Sequence, residues 1–421
     1  MSKYPLLNIL LNILIIIIGV KFKMNKVNSW DEFQPLEGIV LGTLYDSSFF
    51  NDVANPRIRS ALKKIIDQTH EDLEYFKETM QSHGIKVYQP TMSELGYKSS
   101  IMDYVNPNGE LGYRKNVGEL EDDHVFLVTG VNHSLIPNPP LQPRDDAIVM
   151  GNKLLLTDPY TFATSKIIPT YKKWFGEENV DASVLEHLGF TRSDLNLQKW
   201  LRKNHIEQTE ENLAKARATS TLGGFCSPTL TRVGKTCLVD TWQVPRLVEE
   251  FLQDTCPEFN FKKITIGGHN DSVFSVIKPG VVVASRELKG YEHVFKDWEI
   301  IWFDDPKWDN VKKWTKLKFQ NQGKWWVPGE EDNDEFTYFV EGMLSNWTGF
   351  VEETVFDVNC LVVDDKHVVV NTSNPYLLDN LKRKGIEPIV CPLRHSFFWD
   401  GGWHCLTLDV NRRGVQQDYG I

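Results

Sequence analysis

The residue types best suited to nucleophilic chemistry stand near the C-terminus, in residues 400–407 (DGGWHCLT). Two glycines permit backbone conformations closed to other residues, and their small volume lets a substrate approach closely. Cys405 directly follows this turn and is a candidate nucleophile, whose reactive form is the thiolate. A buried, inert thiol is the ordinary alternative. His404 is expected to point to the opposite face of an extended segment, where it packs or supports the site.

A second candidate segment, residues 267–271 (GGHND), supplies an imidazole and a carboxylate two positions apart. Because side chains of an extended chain alternate sides, His269 and Asp271 are predicted to face the same way at a strand edge. A thiol, a base and an orienting acid together form a generalised catalytic triad. A capped turn that leads into a strand explains the same residues without catalysis.

A third segment, residues 142–146 (QPRDD), places Asp145 and Asp146 directly before an apolar run. Paired carboxylates at this position bind a cation in one interpretation and form a solvated turn in the other. The residue types leave both interpretations open.

The elements that must position these segments are short apolar runs alternating with amphipathic helices, which predicts an α/β fold class. A strand–strand–helix–strand unit is clearest over residues 358–391 and is expected to recur. Two insertions are predicted, a polar helical stretch over 181–217 and a stretch over 296–350 whose tryptophans are expected to pack in the core or a lid. The predicted helices are 57–84 and 377–385, and the predicted strands are 36–44, 85–90, 125–130, 147–152, 273–277, 281–285, 360–365, 367–371 and 387–392.

The composition is that of a globular chain, with 41% apolar and 24% charged residues among 421. Collagen-like, low-complexity and disordered classes are thereby excluded. The net charge of −11 has no basic run beside it, which argues against nucleic acid as a partner. The six cysteines form no C-x-x-C pair and no zinc spacing, so no metal site is predicted and a reduced, cytoplasmic enzyme is expected.

The N-terminus carries an apolar run over residues 6–20 (LLNILLNILIIIIGV). It is shorter than the roughly 20 residues that span a bilayer, and no small-residue cleavage site follows it. Initiation at Met24, an uncleaved membrane anchor and an export signal remain open. Residues 1–24 are therefore set apart as a leader, membrane contact depends on that leader, and 25–421 are predicted to form a single domain.

Together the segments resemble the glycine amidinotransferases, the arginine:glycine branch of the guanidino-modifying (pentein) superfamily. The resemblance runs from about residue 27 to the end of the chain. It rests on the similar stretches VNSWDEFQPLEGIVLG (27–42), QPRDDAIVMGNKLL (142–155), GGHNDSVFSVIKPGVVVAS (267–285), NCLVVDDKHVVVN (359–371), LKRKGIEPIV (381–390) and DGGWHCLTLDVNRRG (400–414).

This resemblance implies a five-bladed α/β propeller of repeated ββαβ units with the active site on its central axis. It implies that Cys405 is the nucleophile and His269 the general acid and base. Asp271 and Asp145 would hold the guanidinium or its attached amino acid. Arg286 lies near the place of a carboxylate-binding arginine in the family.

The chain departs from the family pattern at two places. Where the family has an aspartate-containing segment, this chain reads FCSPT at 225–229, so both acids are missing, at Cys226 and Thr229. Where the family has a serine before the fourth-repeat strand, this chain has Asp357. We expect this shifted acid to bind substrate and to restore the lost charge, with a changed donor or acceptor geometry.

The reaction implied is transfer of the amidino group of L-arginine to an acceptor amine through a covalent amidino-cysteine, with release of ornithine. Glycine is the default acceptor, giving guanidinoacetate as in creatine-type biosynthesis, and lysine, other amines and inosamine-type acceptors remain open. No metal or organic cofactor is needed, the partners are small-molecule substrates, and a homodimer is open. Two alternatives are an arginine or guanidino hydrolase, in which water replaces the amine, and an inactive relative that binds an amino acid.

Overall fold

The computed structural model describes residues 27–104, 136–157, 162–181, 209, 226–240, 246–266, 268–285, 290–302, 329–330, 332–344, 347–348, 358–371 and 374–421. Strands within these ranges form five three-stranded sheets. All five sheets share one plan, an antiparallel pair followed by a parallel pair on the central strand. The predicted α/β fold class is therefore confirmed, and the expected unit recurs.

Four sheets are built from consecutive stretches of chain, in which a hairpin is followed by a helical crossover to the third strand. Glycines 151, 234 and 280 adopt positive φ between the hairpin strands, as tight hairpin turns require. The strands are β3 (Ala147–Met150), β4 (Lys153–Leu156), β5 (Val180–Asp181), β6 (Leu230–Val233), β7 (Thr236–Asp240), β8 (Asn260–Ile264), β9 (Phe274–Lys278), β10 (Val281–Ala284), β11 (Glu299–Trp302), β12 (Leu361–Val362), β13 (His367–Val370) and β14 (Glu387–Val390). The crossovers contain the helices Phe162–Phe175, Arg246–Thr255 and Pro375–Arg383 and the 3-10 turn Glu292–Phe295.

The fifth sheet joins the two ends of the described chain. Strand β15 (Thr407–Arg412) pairs antiparallel with β1 (Leu36–Leu41), and β1 pairs parallel with β2 (Lys86–Tyr88). The helix Pro56–Ser82 connects β1 to β2, and the Asn55 side chain caps its first turn. Because β15 begins two residues after Cys405, this pairing fixes the cysteine turn against the start of the chain. The other helices are Pro143–Asp146, Asp334–Met343 and Ser396–Trp399.

A large tryptophan holds the cysteine turn to the core. Trp403 is fully buried and stacks on Phe76 of the long helix, with ring centroids 4.1 Å apart. Its indole nitrogen donates a hydrogen bond of 2.6 Å to the carbonyl of Cys391. The indole ring buries apolar surface, and its N–H group is hydrogen-bonded. Trp403 therefore holds the turn rigidly against the core.

The predicted elements agree with the structure apart from their ends and the insertions. The insertion boundaries at 181 and 296 are wrong, because Val180–Asp181 forms β5 and Glu299–Trp302 forms β11. Both are third strands paired in parallel to their sheets. The rest of the stretch after Asp181, most of the stretch after Trp302 and the strand predicted at 125–130 lie outside the described residues. Trp347, which is described, is buried and stacks on Tyr45 as core packing.

Within the described part of the chain, no helix combines the length and apolar character that crossing a membrane requires. The apolar run at 6–20 lies outside that part.

Candidate active site

The Cys405 thiol lies in a turn at 403–406 and is almost fully enclosed, with 5% of the residue exposed. Its Sγ donates a hydrogen bond to Asp271 Oδ2 at 3.3 Å and accepts one from Asn359 Nδ2 at 3.0 Å. The Asn359 Oδ1 accepts the Cys405 backbone N–H at 3.0 Å. Asn359, which the motifs did not indicate, therefore fixes both the backbone and the sulfur of this cysteine.

The two glycines before the cysteine, Gly401 and Gly402, are required for their small size and not for an unusual backbone conformation. A Cβ on Gly402 would lie 2.8 Å from the Asn359 side chain, and one on Gly401 would lie 2.8 Å from Gln142 Nε2. The positive φ in this turn belongs to Asp400, at 51°. The glycines are thus needed because Asn359 and Gln142 approach closely.

His404 and Cys405 meet the same carboxylate, so the expectation that they point to opposite faces is wrong. His404 Nδ1 lies 2.7 Å from Asp271 Oδ2, and its Nε2 lies 3.2 Å from Glu32 Oε2. The reason is local geometry, since alternation holds for extended chain and residues 403–406 form a turn. Burial by itself raises the pKa of Asp271, but the His404 hydrogen bond and neighbouring positive charge hold it below its ordinary value.

His269 and Asp271 reach the site through a turn, not through the extended segment that their spacing predicted. Residues Asn270–Ser272 form a 3-10 turn with His269 at its N-cap, and β9 begins only at Phe274. The Asn270 amide holds this turn in place by donating to the carbonyl of Thr229 at 3.0 Å.

Asp145 faces the same pocket from the one-turn helix Pro143–Asp146. A carboxylate oxygen of Asp145, the Cys226 sulfur and a ring nitrogen of His269 all lie within 4.8 Å of one another. The Cys226 thiol points to Asp145 Oδ1 at 3.7 Å. The segment that contains Cys226 therefore contributes a thiol to the site, and a Cys/His/Asp group forms where sequence spacing indicated none.

The pocket is electrostatically negative. Burial, with Asp271 and Asp145 close by, raises the pKa of the Cys405 thiol well above its ordinary value. Burial and the same two carboxylates raise the pKa of Cys226 as well. Both thiols are therefore protonated in the free protein, and a cation bound between the carboxylates would favour their ionisation.

A buried ion network supports the site from below. Asp409 accepts hydrogen bonds from Arg232 at 2.8 Å, from Arg144 at 2.8 Å and from Arg412 at 2.9 Å. Arg232 also lies 3.0 Å from Glu32, which contacts His404. Burial alone raises the pKa of Glu32, but the Arg232 guanidinium lowers it to about 2. Because all these groups are enclosed and paired, they set the relative positions of β15, β6 and the Asp145 helix.

The structure thus brings together Cys405, His269, Asp271 and Asp145 from three distant segments. Arg286 and Asp357 lie outside the described residues, so their substrate-binding roles stay predictions. The sequence interpretation missed the contacts of Asn359, His404 and Cys226. A departure from the family pattern marked Cys226, whereas nothing in local spacing marked Asn359.

No protein-family model matches the chain. The mitochondrial glycine amidinotransferase of Xenopus laevis is 26% identical over 151 residues, which are 36% of this chain and 28% of that protein. The L-arginine:L-lysine amidinotransferase of Pseudomonas savastanoi pv. phaseolicola is 35% identical over 77 residues, 18% of this chain and 19% of that protein. The chain thus matches less than a third of the length of either relative.

Among solved structures, SxtG, an amidinotransferase of the saxitoxin biosynthetic pathway from Microseira wollei, superposes with a TM-score of 0.56. The two chains are 19% identical, and the match covers 93% of this chain and 99% of that one. This likeness shows a shared fold. The resemblance to amidinotransferases that the motifs indicate is confirmed by the sequence relatives.

Proposed function

Because the chain is similar in sequence to amidinotransferases and shares the fold of one, we propose that it transfers an amidino group from L-arginine to an acceptor amine. The transfer proceeds through a covalent amidino-cysteine on Cys405. The observation that carries the proposal is the enclosed Cys405 thiol, 3.3 Å from Asp271, in a negative pocket that Asp145 also lines.

The proposal includes an arrangement of the five sheets as five blades around a central axis, with this pocket on the axis. Two observations support it. The sheets share one plan, and one buried carboxylate, Asp409 on β15, binds Arg232 of β6 and Arg144 beside β3. Two strands of different sheets and the helix that leads into a third sheet therefore converge on a single ion-pair network next to the cysteine turn.

The arginine that donates the amidino group is held by the negative charge of the pocket. A guanidinium is a planar cation whose N–H groups pair with carboxylates, and Asp271 and Asp145 supply two of them. Its positive charge offsets the negative field that keeps Cys405 protonated, so donor binding itself promotes the thiolate. The Cys405 thiol therefore stays protonated and unreactive until arginine binds.

His269 accepts and delivers the proton in each chemical step. The imidazole takes the thiol proton, the Cys405 sulfur attacks the guanidinium carbon, and His269 passes that proton to the leaving ornithine amine. The acceptor amine then attacks the amidino-cysteine while its proton returns through His269 to the sulfur. Positioned proton transfer contributes roughly 10²–10⁴-fold in rate, and the covalent intermediate divides one difficult displacement into two.

Glycine is the acceptor that we propose first, with guanidinoacetate as product. The acceptor lysine in the name of the Pseudomonas relative makes lysine the first alternative. Arg286 and Asp357 are proposed to bind the carboxylate and amino groups of these substrates. An acceptor panel scored by ornithine release tests this assignment directly.

The test of the mechanism is intact-protein mass spectrometry after incubation with arginine and no acceptor. Wild type should gain the mass of one amidino group, which peptide mapping assigns to Cys405. Cys405→Ala should gain none, and Cys226→Ala, which removes the neighbouring thiol, should still form the adduct.

Other outcomes would overturn the proposal in different ways. An adduct on Cys226 would move the nucleophile. Citrulline or ammonia without an acceptor would identify a hydrolase. Arginine binding with neither adduct nor turnover would identify an inactive amino-acid-binding relative.

A further inference from the structure

We propose that Asp145, Cys226 and His269 form a binding site for a thiophilic divalent cation of the Zn²⁺ class. One potential ligand atom from each residue lies within 4.8 Å of the other two. Ligand atoms that share one tetrahedral zinc ion lie roughly 3.3–3.8 Å apart, given metal–ligand bonds of roughly 2.0–2.3 Å. The 3.7 Å between Cys226 Sγ and Asp145 Oδ1 already meets that spacing. A movement of the His269 side chain towards these two donors would complete the coordination.

The donor set fits zinc better than the hard cations. Thiolate sulfur and imidazole nitrogen select Zn²⁺, whereas Mg²⁺ and Ca²⁺ take oxygen ligands. When the metal binds, the Cys226 S–H bond breaks, a sulfur–metal bond forms and the proton leaves to the buffer. The thiolate and the Asp145 carboxylate then balance the two positive charges of the ion. Three protein ligands leave one position open, as in catalytic zinc sites.

The three ligands are mounted on short turns that the backbone already fixes. Cys226 is the N-cap of the turn Ser227–Thr229, and its carbonyl accepts the Thr229 N–H at 3.0 Å. His269 is the N-cap of Asn270–Ser272, which is tied to the first turn through the Asn270 amide. The Asp145 backbone N–H donates to the Gln142 carbonyl at 3.1 Å. These supports keep the ligands together without a metal.

Occupation of this site would oppose the proposed amidino transfer. The ion would take Asp145 from the donor guanidinium and His269 from proton transfer, so zinc should inhibit competitively with arginine. This consequence rests on the proposed function, but metal binding itself does not.

The primary test uses Co²⁺ as a spectroscopic probe of the full chain, since thiolate-bound cobalt shows a near-ultraviolet charge-transfer band. Wild type should show the band and lose it when Zn²⁺ is added. Cys226→Ser should lack it, and Cys405→Ser, which removes the other thiol of the pocket, should retain it. Absence of the band in wild type, its persistence in Cys226→Ser or its loss in Cys405→Ser would overturn the site.

A second measurement keeps the test decisive if Cys226→Ser fails to fold. Competition against a chromophoric chelator measures Zn²⁺ affinity, which should fall at least about tenfold in Asp145→Asn and His269→Gln. Asp418→Asn and His83→Gln, at exposed positions, serve as matched controls and should leave the affinity unchanged. Equal affinities in all four variants would refute the assignment.

The two proposals can fail separately. A Cys405 adduct without the cobalt band would support the proposed function and exclude the metal site. The band without an adduct would support the metal site and exclude the proposed function. Where both hold, Zn²⁺ should raise the KM for arginine and a chelator should restore it.

Discussion

His404 offers a sharp test, because two amide side chains each mimic one of its ring nitrogens. An asparagine amide nitrogen stands the same number of bonds from the backbone as Nδ1, and a glutamine amide the same number as Nε2. His404→Asn should therefore keep a donor towards Asp271. His404→Gln should keep the contact with Glu32 and lose the one with Asp271.

The size of the effect follows from the Asp271 contact. The His404 Nδ1–Oδ2 distance is 2.7 Å, and the two side chains are 12% and 5% exposed. A hydrogen bond to a charged group in such a site is worth about 1.5–3 kcal/mol. If Asp271 acts on the reacting cysteine, His404→Gln should lower kcat/KM about ten- to hundredfold. His404→Asn should stay within a few-fold of wild type.

The assay is arginine-dependent ornithine release across a pH range. The His404 hydrogen bond helps to hold the pKa of Asp271 down, so its loss raises that pKa. The acid limb of the profile should move to higher pH in His404→Gln and stay in place in His404→Asn. Thermal unfolding of both variants controls for folding. Equal losses in the two variants, or a wild-type profile for His404→Gln, would refute the role of this contact.

Two further predictions concern stability. Because the pKa of Glu32 is about 2 in the fold against an ordinary 4.5, its charge stabilises the protein above about pH 4.5, and that stability is lost as pH falls towards 2. Urea unfolding should show that the difference in free energy of unfolding between wild type and Glu32→Gln narrows by up to roughly 3 kcal/mol on acidification, and a constant difference would contradict the linkage. Gly402→Ala should cost about 1–3 kcal/mol because its Cβ meets Asn359. Gly268→Ala has open space and should cost less than about 0.5 kcal/mol, so equal losses would exclude the clash.

Much of the fold could be predicted from local pattern. The runs AIVM and VVVA, at β3 and β10, are buried along their whole length and read as continuous apolar segments. Glycines between hairpin strands mark the tight turns. The strand Val180–Asp181 escaped prediction because two residues carry no periodicity, and only pairing to β4 defines it. The longer strands β6, β7 and β8 were not predicted either.

The candidate site, like the fold, could be predicted only in part from the sequence. Residue type and spacing identified Cys405, His269, Asp271 and Asp145 as chemically capable. Local pattern predicted the wrong conformation for two of the segments that carry them, because alternation was applied to the His269 and Cys405 segments, which form turns. The family resemblance, not periodicity, assigned their roles.

What the sequence by itself determined is the inventory of reactive groups and the short elements that hold each one. Only the tertiary structure decided which groups meet. Cys226 reaches Asp145 across 81 positions, and Cys405 reaches Asp271 across 134. The burial and charge that set their pKa values belong to that assembled pocket. Spacing along a chain reports contacts within one helix or strand, whereas contacts between sheets arise from packing that no local period encodes.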